Sequence, residues 1–311
     1  MKRRQRKPRR MLTAILVLAV LAISGYTLWS FNGMPTPAAL ERSPAGGTAE
    51  TTSTAANSPI EQDRIAGDDI TIFARQIPIT EITDTQYIKL VNRDHALHTP
   101  VSSAQLVPVW PDMPARDASV TLHETAFGAM GLFLGAARDA GFHTLFIASG
   151  HRTHEEQSGL YANAVDTAYV MPAGHSEHQL GLAADILKTG DEFQGMAGTD
   201  EARWMAENAS RFGLVLRYPE DKQHITQVAY EPWHFRYVGR IHAWIMAQYN
   251  FVLEEYIDFL QQQGSYEGTL DGRTYFILYQ QPENGMLFVP EDLAFNVSSA
   301  NTGGYIVTAW R

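Results

Sequence analysis

The chain is predicted to carry an α+β domain, a mixed and mainly antiparallel sheet with flanking helices, between an N-terminal transmembrane helix and a small C-terminal β appendage. Three observations predict this arrangement. Helix and strand patterns between residues 119 and 263 follow one another without the regular βαβ rhythm of a doubly wound sheet. Residues 1–31 pass from a cluster of Lys and Arg into an uncharged apolar run. After Gly264 the helical period gives way to short β runs punctuated by turn residues.

The N-terminus comes first. Residues 1–10 hold seven Lys or Arg and no acid, a basic tail that the positive-inside rule keeps in the cytoplasm. Met11–Phe31 is uncharged and about 20 residues long, enough helix to cross a hydrocarbon core. Tyr26 and Trp29 stand at its distal end, where an interfacial aromatic belt would lie. The alternative is a cleaved signal peptide, but the run is long for one and no small-x-small site follows closely. Either reading exports the body, and the retained anchor makes it a single-pass cell-membrane protein with its body outside. Residues 32–68 are rich in Ala, Thr, Ser, Pro and Gly and read as a flexible stalk.

Residues 69–263 form the expected main domain. Ile70–Trp110 is an irregular or weakly β entry. Ser119–Ala140 has Leu122, Ala126, Met130, Phe133 and Ala137 on one helical face, and Gly141 closes it. His143–Ala148 is a short apolar strand. Thr153 and Glu156 form a capping box for a helix running to about Ala168. Gly174–Gly181 is a loop and Ala183–Leu187 a strand. Asp200–Phe212 is a helix, followed by strands at Leu214–Arg217 and Trp233–Val238. Ile241–Gln263 is one long helix with Ile245, Tyr249, Val252, Tyr256 and Leu260 inward. In the appendage, 264–311, Tyr266–Gln281 is a hairpin about Asp271-Gly272, with strands at Met286–Val289 and Tyr305–Trp310.

Composition narrows the partners. The net charge is −10, and the chain beyond the basic tail carries 17 basic and 34 acidic residues. Such a body does not suit nucleic acid, which calls for a cationic surface. There are no cysteines, so disulfides, thiolate nucleophiles and Cys-ligated zinc are excluded. Any metal must be held by His, Asp or Glu.

Eight of the eleven histidines fall between His143 and His242. A catalytic zinc takes three protein ligands and leaves a fourth position open. His178 and Asp185 flank the Gly181 turn, so a loop ligand and a strand ligand can converge. Asp185 lies in an otherwise apolar strand, where a carboxylate is costly unless paired or metal-bound. A buried salt bridge to Arg217 or Arg236 is the other explanation of that residue. His234 offers a third ligand and Glu231 a general base. Their spacing of three puts them on opposite faces of a regular strand, so a strand beginning after Pro232, with Glu231 on a bend, is needed to aim both into one cleft.

Three runs carry a resemblance. They are Ser149-Gly-His-Arg152-Thr-His-Glu-Glu-Gln157, Ser176-Glu-His178-Gln-Leu-Gly-Leu-Ala-Ala-Asp185, and Glu231-Pro-Trp-His234-Phe-Arg-Tyr. In this order they resemble the VanY-type D-alanyl-D-alanine carboxypeptidases, zinc enzymes related to the LAS peptidases, over roughly Gln105–Gln262. Asn250-Phe-Val-Leu-Glu-Glu-Tyr and the tail Ile306-Val-Thr-Ala look like the glycopeptide-resistance members. Two departures, His151 for an aromatic and Ala173 for a proline before Gly174, bear on loop shape and not on the ligand set.

The resemblance implies Zn2+ held by His178, Asp185 and His234, Glu231 as catalytic base, and Arg152, Gln157 and Ser176 at the substrate, with Trp233 in support. Arg152 stands just before the Thr153 helix start, where a guanidinium fork and the positive helix end would together meet a peptide carboxylate. A simple ion pair with Glu155 is the alternative for Arg152. Ser149 and Ser176 lie in no nucleophile motif. For the oxyanion, His175 or the neighbours of His178 are candidates. The implied reaction removes the terminal D-Ala from peptidoglycan precursor or stem peptides ending in D-Ala-D-Ala, which in a resistant cell removes the vancomycin target. The alternatives are an L,D-carboxypeptidase acting on tetrapeptides, or an inactive wall module that grips D-Ala termini.

Overall fold

The computed structural model describes residues 72–311. The basic tail, the apolar span and the stalk expected over 1–68 lie outside the described residues. Among the described residues, no helix is long and apolar enough to cross a membrane.

The entry segment is largely irregular, with a short strand β1 (Arg75–Pro78) and another, β2 (Leu106–Pro108). β2 runs antiparallel to β3 (Thr121–His123), Leu106 opposite His123. The helix expected from Ser119 therefore starts later, as α1 (Glu124–Asp139). The backbone of residues 121–123 is committed to sheet pairing, which overrides a helical period in the side chains. His123 makes the change of structure: its Nδ1 accepts from the Thr125 N–H at 3.2 Å and caps the helix. The expected face, Ala126, Met130, Phe133 and Ala137, is buried.

Next come β4 (Leu145–Ser149) and α2 (His154–Ala162). The capping box is present: Thr153 Oγ1 accepts from the Glu156 N–H at 3.2 Å, and Glu156 Oε2 from the Thr153 N–H at 2.7 Å. α2 stops short of Ala168 because its side chains bury little beyond Gln157 and polar groups offer the chain a turn instead. Asn163 Nδ2 donates to the Gly159 carbonyl and Asp166 Oδ1 accepts from the Ala168 N–H, both at 2.8 Å.

The remaining elements of this half are β5 (Ala183–Lys188), α3 (Asp200–Asn208), β6 (Leu214–Leu216), α4 (Gln223–Thr226) and β7 (His234–Tyr237). The expected helix to Phe212 is α3 plus a tighter turn over Ala209–Phe212. The four longer-range strands pair antiparallel in the order β4-β5-β7-β6. α1 covers one face, where Phe133 meets Phe212 and Phe235 with ring centroids 5.5 Å apart. The opposite face of β5 and β7 is left for chemistry.

The long helix expected over Ile241–Gln263 is two, α5 (Arg240–Tyr249) and α6 (Leu253–Gln263). Asn250 breaks it with φ at 51°, and the Phe251 N–H closes the end onto the Met246 carbonyl at 2.9 Å. Glu255 restarts the chain by accepting the Val252 N–H at 3.0 Å. Five strands follow: β8 (Ser265–Leu270), β9 (Arg273–Gln280), β10 (Met286–Val289), β11 (Ala294–Ser299) and β12 (Tyr305–Trp310). β8 and β9 form the expected hairpin, with Asp271 and Gly272 both at positive φ. The sheet order is β11-β12-β9-β8, while β10 pairs with β1.

These strands share a core with the helices before them. Ile277, Tyr279 and Ile306 pack with Ile245, Tyr256, Leu260 and Ile88. Inside it, the buried His242 ring bonds the Tyr256 hydroxyl at 2.7 Å and the Thr308 hydroxyl at 3.0 Å.

Candidate metal centre

Register builds the site. Asp185 on β5 lies directly across from His234 on β7 and, on its other side, from Ser149 on β4. Facing cross-strand residues bring their side chains together. β7 begins only at His234, and residues 231–234 form a turn in which the His234 N–H donates to the Glu231 carbonyl at 3.2 Å. Pro232 is thus excluded from the ladder, and Glu231 is bent back toward the His234 ring. Its Oε2 stands 3.7 Å from His234 Nδ1. His178 arrives from the short helical turn Glu177–Leu180, which Gly181 ends at φ 68°.

The donor atoms of His178, Asp185 and His234 all lie within 4.8 Å of one another and all three residues are buried. Zinc bonds of about 2.0–2.2 Å at tetrahedral angles hold donors about 3.3–3.5 Å apart. Here His178 Nε2 is 3.3 Å from Asp185 Oδ2, and His234 Nδ1 is 3.0 Å from Asp185 Oδ1. Both rings are also anchored at their far nitrogens. His178 Nδ1–H donates to the Gly150 carbonyl at 2.6 Å, which leaves Nε2 as the free donor. His234 Nε2 faces Glu177 Oε2 at 3.4 Å, which leaves Nδ1. Two oriented imidazoles and one carboxylate fit a zinc ion with an open fourth position.

Electrostatics support the same division of roles. Burial and then the Arg152 charge lower the His178 ring to about 4, so it is neutral and able to ligate. At His234 burial is outweighed by the hydrogen bonds to Asp185 and Glu177, which raise it to about 9. Metal binding at Nδ1 must displace that proton. Asp185 is held well below the usual carboxylate range, burial being overcome by the His178 and His234 rings. Burial pushes Glu231 the other way, up to about 8, the value of a group suited to take and return a proton.

Asp185 does not pair with Arg217 or Arg236. Both guanidinium groups are turned to Glu177: Arg217 Nε is 2.8 Å and Arg236 Nη1 3.0 Å from Glu177 Oε1. The guanidinium that does stand beside Asp185 is that of Arg152, with Nη2 at 3.7 Å from Oδ2. Nor is Arg152 spent on Glu155. Its Nη1 donates to Gln157 Oε1 at 2.9 Å, and Gln157 Nε2 donates to the Met171 carbonyl at 2.6 Å. Gln157 is therefore placed to fix the Arg152 plane from behind. Arg152 Nε is buried with no partner, a donor aimed at nothing the protein supplies.

His178, Asp185, His234, Glu231, Arg152 and Gln157 line one cavity of about 620 Å3, within the range of about 300–1,000 Å3 common for ligand sites. Ser176 and Trp233 line it too, Trp233 packed edge-on to Phe193 with centroids 5.4 Å apart. His175 is not among the residues that line it, and its Nδ1–H donates to the Asn92 carbonyl at 2.7 Å. Sequence reasoning passed over Glu177, Tyr218 and the Gly150 carbonyl. Glu177 sits inside a motif already singled out, and a carboxylate next to a ligand histidine was the available signal. Tyr218, whose ring centroid is 4.9 Å from that of His234, carried none.

Fold and site together define a LAS-type peptidase scaffold. A profile of VanY, D-alanyl-D-alanine carboxypeptidase, matches residues 119–240. A D-alanyl-D-alanine carboxypeptidase of Enterococcus faecium is 42% identical over 165 residues, 53% of this chain and 53% of the relative. The bifunctional D-Ala-D-Ala dipeptidase and D-Ala-D-Ala carboxypeptidase VanXYC of Enterococcus gallinarum is 39% identical over 131 residues, 37% of this chain and 67% of the relative. Among solved structures, the vancomycin resistance D,D-dipeptidase VanXYg in complex with a D-Ala-D-Ala phosphinate analog superposes with a TM-score of 0.66 at 27% identity, covering 76% of this chain and 98% of that one. The match to the E. faecium relative spans about half of that protein's length. The chain belongs to the VanY family.

Proposed function

We propose that the protein is a zinc-dependent D,D-carboxypeptidase that removes the terminal D-Ala from peptidoglycan stem or precursor peptides ending in D-Ala-D-Ala. The observation that carries the reading is one cavity holding a buried His-Asp-His donor set, a carboxyl raised by burial, and an arginine with a free buried N–H.

Arg152 would take the substrate's free C-terminal carboxylate in its guanidinium fork, held in orientation by Gln157. Recognition of that carboxylate is what makes the enzyme an exopeptidase. His178, Asp185 and His234 would hold zinc, which supplies Lewis acidity to the attacking water and to the scissile carbonyl. Glu231 takes a proton from the water as its oxygen adds to that carbonyl. The C–N bond then breaks, and Glu231 returns the proton to the leaving D-Ala nitrogen. The products are free D-Ala and a peptide shortened by one residue. The apolar span over Met11–Phe31 and the following stalk would hold this domain at the outer face of the cell membrane.

The test is D-Ala release by the purified exported part from a stem pentapeptide and a tetrapeptide. Release from the pentapeptide, abolished by chelator and unaffected by penicillin, is the expected result. Glu231→Ala should keep zinc and fold while turnover falls about 10²–10⁴-fold. Unchanged hydrolysis in that variant removes the assigned base. Release from the tetrapeptide alone makes the enzyme an L,D-carboxypeptidase, and penicillin inhibition points to a serine enzyme.

A further inference from the structure

The charge network behind the metal centre reaches beyond the residues that the family profile matches. Glu177, Arg217 and Arg236 are wholly buried in their side chains. Arg217 is gripped at both ends: Nε on Glu177, and Nη1 and Nη2 on the Glu254 carboxylate of α6 at 2.9 and 2.7 Å. Glu254 also accepts from Asn92 Nδ2 at 3.0 Å. Arg236 in turn donates to the carbonyls of Gln86, Tyr87 and Lys89 in the entry segment. Two acids and two bases thus balance, and every strong donor of the pair of arginines has an acceptor.

Glu177 has one remaining oxygen, Oε2, and it is turned to His234 Nε2. An imidazole whose Nε2–H is donated to a carboxylate keeps its Nδ1 lone pair for a metal. We infer that Glu254, through Arg217 and Glu177, is a positioning residue that fixes which nitrogen of His234 faces the metal. The inference rests on the zinc reading above. It makes α6 part of the site's construction: the helix break at Asn250 is what brings Glu254 to Arg217.

An arginine and a carboxylate at these distances have other uses, chiefly burying a charge pair safely. That purely structural role predicts lost stability and nothing more. Positioning predicts weaker metal binding at equal stability, since partners of ligand histidines cost about 10–100-fold in metal affinity when removed.

The experiment measures zinc affinity of the full chain by competition with a chromophoric chelator, alongside the visible spectrum of the Co2+ form and thermal unfolding of the metal-free protein. The variants are Glu177→Ala, Glu254→Gln and Thr308→Val. Thr308→Val cuts the buried bond to His242 far from the metal, so it destabilises without touching the chain of contacts. Glu177→Ala should weaken zinc about 10–100-fold and Glu254→Gln about tenfold, both with altered Co2+ bands. Thr308→Val should lower the melting temperature and leave zinc affinity and spectrum unchanged. Native affinity and spectrum in Glu254→Gln overturn the inference, as does an equal loss in Thr308→Val. Absence of zinc binding by the unmodified chain would instead overturn the function proposed above.

Discussion

Replacing Glu231 with Gln should stabilise the metal-free protein at mildly alkaline pH while leaving it nearly unchanged in acid. The side chain is almost fully enclosed, and burial raises its carboxyl from the ordinary 4.5 to about 8. Between those two values the unfolded chain has released the proton and the folded chain still holds it. Stability therefore falls as pH rises through this window, and the loss is complete above the folded value. At about 1.36 kcal/mol per pKa unit the full shift corresponds to about 5 kcal/mol. The His234 and Arg152 charges are already part of that shift, and relaxation of the site and water entry reduce it further, so about 2–4 kcal/mol is expected. Gln keeps the shape and has no proton to lose. The assay is urea unfolding of chelator-treated protein at about pH 5 and about pH 8, for both chains. The expected result is a stability gap between Glu231→Gln and the parent that opens by about 2–4 kcal/mol across the window. Parallel pH profiles would refute the claim that an unwelcome buried charge develops at Glu231.

Two further outcomes follow from contacts at the cavity. Arg152→Ala should lower kcat/KM on the free peptide by about 10–150-fold, the worth of a charge-assisted hydrogen bond. It should lose little further when the peptide's C-terminus is amidated, whereas the parent loses nearly all activity; equal sensitivity to amidation would remove Arg152 from carboxylate recognition. Gly150→Ala places a Cβ against the Thr121 carbonyl oxygen of β3 and so displaces the segment after β4 whose Gly150 carbonyl orients His178. It should cost about 1–3 kcal/mol by overpacking and weaken zinc as well, read by unfolding and metal titration.

The elements whose signals are local were legible in the chain. The Thr153 capping box, the Asp271-Gly272 hairpin and the apolar face of α1 each rest on residues a few positions apart. Elements decided by distant partners were not. Residues 121–123 follow a helical period yet pair with β2, and β11 came unannounced because its stability derives from β12. The break at Asn250 interrupts an apolar period that runs on unbroken, since the period records which side chains are apolar and not the backbone angle that one Asn can adopt.

The same division runs through the metal centre. Sequence by itself determined the donor types: with no cysteine, a metal had to take His, Asp or Glu, and Pro232 required β7 to start late. Tertiary structure alone decided which nitrogen of each histidine is free, because that depends on the Gly150 carbonyl and on Glu177, each brought by a different segment. It also decided that Arg217 and Arg236 serve Glu177 and leave Asp185 facing the two histidines. A sequence fixes what a side chain can donate or accept, but which partner claims it is a matter of distance, and distance between remote residues exists only in the fold.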